Sequence, residues 1–198
     1  MKTQITASVF WRLFVASQKT EEDIPVVEHL RHRCLLGFTA LDAAIYTYWE
    51  SNVVPEWNET LTLITSALDS PASPEILEEL SSRGGQHLKK SQFVATLRFL
   101  SNTDEISRFT PNFMDLASYL LLKSPQREAG RDLIRLLCEL QACRSAAVHT
   151  GRPWSEIQAH RSLKLIEECA EALCQLGQNF ADAFGSSQLD ETKKSFAA

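Results

Sequence analysis

Apolar residues recur at steps of three and four in one segment after another of this chain, and that spacing constrains the fold more than any other feature. Leu133, Leu136, Leu140, Cys143 and Ala147 form one stripe, widened by Leu137 and Ala146. Val27, Leu30, Cys34, Leu41, Ile45 and Tyr48 form a longer one, with Phe38 filling its seven-residue gap. Steps of three and four line up one face of an α-helix. The seven glycines and seven prolines among 198 residues fall mainly between such segments. The expectation is an all-α domain, an up-and-down helical bundle with extra helices inserted in its first half.

Taken in order, a short amphipathic helix is expected over about residues 4 to 18, carrying Val9, Phe10, Leu13 and Phe14. Pro25 suits the first turn of a long helix reaching about Ser51. Within it the basic patch His29-Leu-Arg-His-Arg33 reads as a solvated face rather than an anion contact. Residues 56 to 68 follow, with Trp57, Leu61, Ile64 and Leu68 on one side. Ser73 can cap a helix opened by Pro74 and stopped by Gly84-Gly85. Helices over about 89 to 102, from Pro111 onward and over 126 to 148 come next. Ser155-Glu-Ile-Gln158 is a capping box for a last helix, expected to run unbroken to about Ala183 through Ser162, Ile166, Cys169, Leu173, Leu176 and Phe180. Residues 1 to 184 read as a single helical domain and 185 to 198 as a mobile tail.

A net charge of −5 argues against a general electrostatic nucleic-acid binder. Between Arg127 and Lys164, however, seven cations face four anions, which leaves room for a local anion-binding cleft. No stretch approaches the roughly 18 apolar residues of a membrane span, so no membrane association and a cytoplasmic location are expected. The five cysteines are odd in number and none sits in a CxxC spacing, which favours buried free thiols over a disulfide framework. HExxH, P-loop and GxSxG patterns are lacking, so the sequence supports no metal and no nucleotide cofactor.

Chemistry concentrates at Arg144-Ser-Ala-Ala-Val-His149, where the 131 to 148 stripe ends in small residues before the breakers Gly151 and Pro153. A fixed guanidinium can hold a phosphate by two hydrogen bonds, while an imidazole moves protons near neutral pH. Five positions in an unbroken helix turn two residues about 140° apart, and the break after His149 is expected to let it swing back toward Arg144. A helix C-terminus favours protonated histidine, so a general-acid role is as open to His149 as a base role. A symmetric homodimer would bring two copies of each group to one cleft. Glu139 can orient Arg144 from the same helix, and Ser145 can add one hydrogen bond. Trp154 beside Arg152 could stack an unpaired base, although a packing cap on the following helix is the favoured reading. The bland alternative throughout is that Arg144 and His149 only brace and cap the helix junction.

Arg144-x4-His149 at the end of a bundle helix, followed by Gly151 and a recapped helix, resembles the motif of the HEPN superfamily. The resemblance covers roughly 126 to 184 and implies a metal-independent endoribonuclease of toxin or defence type that acts as a dimer. It implies that Arg144 and His149 are the active-site pair, that RNA is the substrate, and that an antitoxin or defence-system protein is a possible partner. Many active relatives carry Asn, Asp or His directly after the arginine, where this chain has Ser145. The implied reaction is attack of a 2′-hydroxyl on the adjacent phosphate, giving a 2′,3′-cyclic phosphate and a 5′-hydroxyl. A non-catalytic helical dimer that binds RNA or a partner protein is the alternative.

Overall fold

In a computed structural model, the structure describes residues 7–17, 25–70, 73–83, 88–103, 106–123, 128–149 and 154–184. Every regular element among these is helical, and no strand occurs among them. The helices are α1 (Ala7–Ala16), α2 (Val26–Tyr48), α3 (Trp57–Asp69), α4 (Ser73–Arg83), α5 (Lys90–Ser101), α6 (Phe113–Lys123), α7 (Glu128–His149), α8 (Glu156–Cys174) and α9 (Gln178–Phe184). A π-helical turn, Trp49–Val53, extends α2, and a 3-10 turn, Ile106–Arg108, precedes α6. None of these helices is long and apolar enough to cross a membrane. The expected tail, 185 to 198, lies outside the described residues.

The chain groups into two compact units whose boundaries fall inside α2 and α7, one built from residues 1–44 and 142–198 and the other from 45–141. In the first unit α1 packs on α9 and α9 on α8. The buried face of α1 is Ala7, Trp11 and Phe14, while Leu13 is exposed. Trp11 lies 4.9 Å from both Phe14 and Phe184, centroid to centroid, so α1 is held by aromatic contact rather than by its Val9 and Leu13 positions. α2 meets α8 closely: the Cys34 thiol donates to the Ala159 carbonyl at 3.5 Å. A Cβ on Gly37 would stand 2.8 Å from Cγ2 of Ile166.

Two helix ends differ from the sequence expectation. α2 turns π-helical at Trp49, where the Val54 N–H reaches back five residues to the Trp49 carbonyl at 3.0 Å. The Asn52 amide takes the Tyr48 carbonyl at 2.9 Å, and Pro55, without an N–H, cannot continue the ladder. The last helix is not continuous to 183. It closes at Cys174 with tight bonds from Gln175 to Ala172 and from Leu176 to Leu173, and α9 starts anew at Gln178 beyond Gly177. Leu176, placed on the expected stripe, is therefore exposed.

The second unit packs α3, α4, α5 and α6 against one another. Trp49 is its aromatic centre, with Phe109 at 5.6 Å, Tyr119 at 5.9 Å and Trp57 at 6.4 Å. α6 starts at Phe113 rather than at Pro111 because Asn112 caps it. The Asn112 side chain accepts from the Met114 and Asp115 N–H groups, and the Asp115 carboxylate accepts the Asn112 N–H at 2.8 Å. Within the same unit Lys123 closes on Glu56 at 2.7 Å.

Candidate functional site

Arg144 sits where α7 is lined by Ala142, Cys143, Ser145, Ala146 and Ala147. These short side chains leave room beside the helix for one long one. The Arg144 Nη2 lies 2.9 Å from the Asp42 Oδ2 of α2, with 35% and 29% of the two side chains exposed. The pair is thus largely withdrawn from water, which strengthens the attraction while about a third of the Arg144 side chain stays exposed. Burial pushes the Asp42 carboxyl above the ordinary aspartate value, and the charge and hydrogen bond of Arg144 pull it back part of the way. Asp42 is the residue the motif reading missed. The signal for it was an aspartate between Leu41 and the apolar run Ala43-Ala44-Ile45 of a core helix, a place that demands a cation.

The other site residues take different positions. Ser145 is half-buried one step beyond Arg144 on α7. Glu139, expected to orient Arg144, has the Arg135 guanidinium at 2.8 Å, four residues back along the helix. Arg144 takes its carboxylate from α2. His149 is the last residue of α7, which keeps its helical winding through that position. The Cα atoms of Arg144 and His149 are therefore about 140° apart around one axis. The His149 side chain, and Arg152 as a whole, lie outside the described residues.

Trp154 is half-buried immediately before the first turn of α8. Ser155 forms the expected capping box: its Oγ accepts the Gln158 N–H at 3.3 Å, and its own N–H donates to the Gln158 side chain at 3.1 Å. Ile157 beside it is 83% exposed. His160 is exposed and lies 3.6 Å from Glu156 on its own helix.

One sequence reading is overturned. The patch from His29 to Arg33 is not a solvated face, because Arg31 and His32 are exposed whereas His29 and Arg33 are only 8% and 7% exposed. The i, i+4 spacing of His29 and Arg33 puts both on the buried side of α2 together with Leu30 and Cys34. The cysteines of the described helices are all free thiols, Cys34, Cys138 and Cys169 being buried. Burial pushes the Cys34 and Cys138 thiols up to about 12, which keeps them neutral and unreactive at physiological pH. Compared with models of known protein families, with characterised proteins and with solved structures, the chain matches none of them.

Proposed function

We propose that this chain is a metal-independent endoribonuclease resembling the HEPN superfamily, acting as a homodimer with Arg144 and His149 as its reacting pair. The observation that carries this reading is the Asp42–Arg144 ion pair. It fixes a partly exposed arginine side chain on the small-residue segment of α7, an arrangement suited to holding a phosphate against a rigid helix. The 140° separation of Arg144 and His149 along one α7 favours two copies, since a cleft between two such helices can draw its groups from both. One imidazole then takes the 2′-hydroxyl proton as the oxygen attacks phosphorus, and the other protonates the departing 5′-oxygen. Arg144 balances the charge that develops on the phosphate. The toxin or defence setting and an antitoxin partner belong to the same proposal and rest on the resemblance alone.

The same ion pair supports a second reading, in which Arg144 braces α2 and α7 and the chain binds RNA or a protein without turnover. Incubation with mixed RNA in EDTA, beside Arg144→Ala and His149→Ala, separates the two. Under the proposal the wild type cleaves without metal, and each substitution lowers the rate by about 10²-fold or more. RNA that stays intact with the wild type, or is cut equally by all three proteins, leaves the binding reading. A DNA oligonucleotide of the same sequence survives, because it lacks the attacking 2′-hydroxyl.

A further inference from the structure

Four buried polar atoms of α2 and α8 have no hydrogen-bond partner among the described residues: Nε2 of His29, Nε and Nη2 of Arg33, and Oε1 of Glu167. Nε and Nη2 are the two donors on one edge of the guanidinium, the edge that takes both oxygens of a carboxylate side by side. On its face, Arg33 has the Phe14 ring, with Cζ 5.6 Å from the centroid. The Glu167 carboxyl is near enough to feel the Arg33 charge, yet its Oε1 and the Nε and Nη2 of Arg33 make no hydrogen bond to one another. A charged donor edge buried without an acceptor is costly, and so is a buried carboxylate without a donor. Each can supply what the other lacks.

We infer that Arg33 and Glu167 form a proton-linked clasp between α2 and α8, open while Glu167 is protonated and closed once that proton has left to solvent. In the closed state the carboxylate accepts from the Nε and Nη2 edge of Arg33. Two forces drive closure on ionisation. Glu168 and Glu171 on the same helix repel a charged Glu167, and Arg33 is the cation that attracts it. Among the described residues, Arg33, Glu168 and Glu171 are the charged groups that act on Glu167. α1 offers Arg33 the Phe14 ring, while its own Arg12 is exposed and donates to the Ser8 carbonyl. Asp182 of α9 is exposed, and Arg144 of α7 is held by Asp42. On α2 the neighbouring titratable groups are His29, one turn before Arg33, and the neutral Cys34 thiol. Burial, with the two glutamates, raises the Glu167 carboxyl to about 7, so the change falls in the physiological range. This inference does not depend on the ribonuclease reading.

The full chain tests it by NMR between pH 5 and 8.5, following the Glu167 side-chain carboxyl carbon and the Nε–H of Arg33. The expected result is a Glu167 midpoint well above the ordinary glutamate value. In step with it, Arg33 Nε–H exchange slows by about tenfold or more relative to an exposed arginine. In Glu167→Gln the Arg33 proton shows no such step, and in Arg33→Gln the Glu167 midpoint moves higher still. A Glu167 midpoint in the ordinary range, or Arg33 protection that ignores the titration or persists unchanged in Glu167→Gln, overturns the clasp. The wild-type measurement decides this even where Arg33→Gln does not fold.

Discussion

Asp42 and Arg144 meet across two helices that are far apart in sequence, and neither residue is comfortable without the other. Asp42 is set in the apolar stretch from Leu41 to Ile45, and Arg144 among the small side chains of residues 142 to 147. Asp42→Ala and Arg144→Ala should each destabilise the chain, and the double substitution should cost less than the sum. The difference, a coupling of about 1 kcal/mol, is what a charge-assisted hydrogen bond with partial exposure contributes. Strict additivity in denaturant unfolding would show that the pair contributes nothing. Under the ribonuclease reading a further distinction follows, because a point charge cannot copy a planar fork. Arg144→Lys keeps the ion pair's sign but loses two-point contact with phosphate, so cleavage falls about tenfold or more with little change in stability. Full activity in Arg144→Lys would remove the fork from the mechanism.

Helix α2 shows what an element-level reading can and cannot extract. Its length and its face of Leu30, Cys34, Phe38, Leu41 and Ile45 follow from spacing, and all five are buried. What approaches that face does not follow, since contacts between helices are not written in local periodicity. Gly37 is the sharpest case: a Cβ there would meet Cγ2 of Ile166 at 2.8 Å, Cδ1 at 2.9 Å and the Phe14 ring at 3.2 Å. The Cδ1 end can rotate away, but Cγ2 is fixed by the branch at Cβ and cannot. Gly37→Ala should therefore destabilise by about 1–2 kcal/mol through overpacking, despite alanine's better helix propensity. On an Ile166→Ala background both contacts under 3.0 Å are gone and only the Phe14 ring at 3.2 Å remains tight, so the same substitution should cost much less. An undiminished loss on that background would place the strain elsewhere. The same limit explains the other surprises. Arg33 and His29 look like surface residues in a string, and only tertiary packing makes them buried. Asp42 was readable as an anomaly, although its partner was not. The capping box at Ser155 was readable in full, because all its atoms lie within four residues.

At the scale of the molecule, the buried carboxyls act together. Asp42 and Glu167 in one unit and Asp115 in the other are all held above their ordinary values, chiefly by burial. A carboxyl raised in the folded state binds its proton more tightly there than in the unfolded chain. Its contribution is therefore complete below the unfolded value and is lost as pH rises through the folded one. With Asp115 raised to about 6 and Glu167 to about 7, the loss falls between about pH 4 and pH 7. The net charge of −5 at neutral pH adds self-repulsion in the same direction. The chain should thus be more stable near pH 5 than near pH 8, the reverse of a protein held by salt-bridged carboxylates. Asp115→Asn isolates one share of this. The amide oxygen can still accept the Asn112 N–H that closes the start of α6, so the cap survives while the buried charge is removed. Stability at pH 8 should rise by roughly 1–2 kcal/mol, part of the shift converted to free energy, and should hardly change at pH 4.5. Denaturant midpoints at the two pH values measure both quantities. If Asp115→Asn weakens the fold equally at both, the carboxyl is valued for its hydrogen bonds, and the acid-side maximum must come from Glu167 and Asp42 alone.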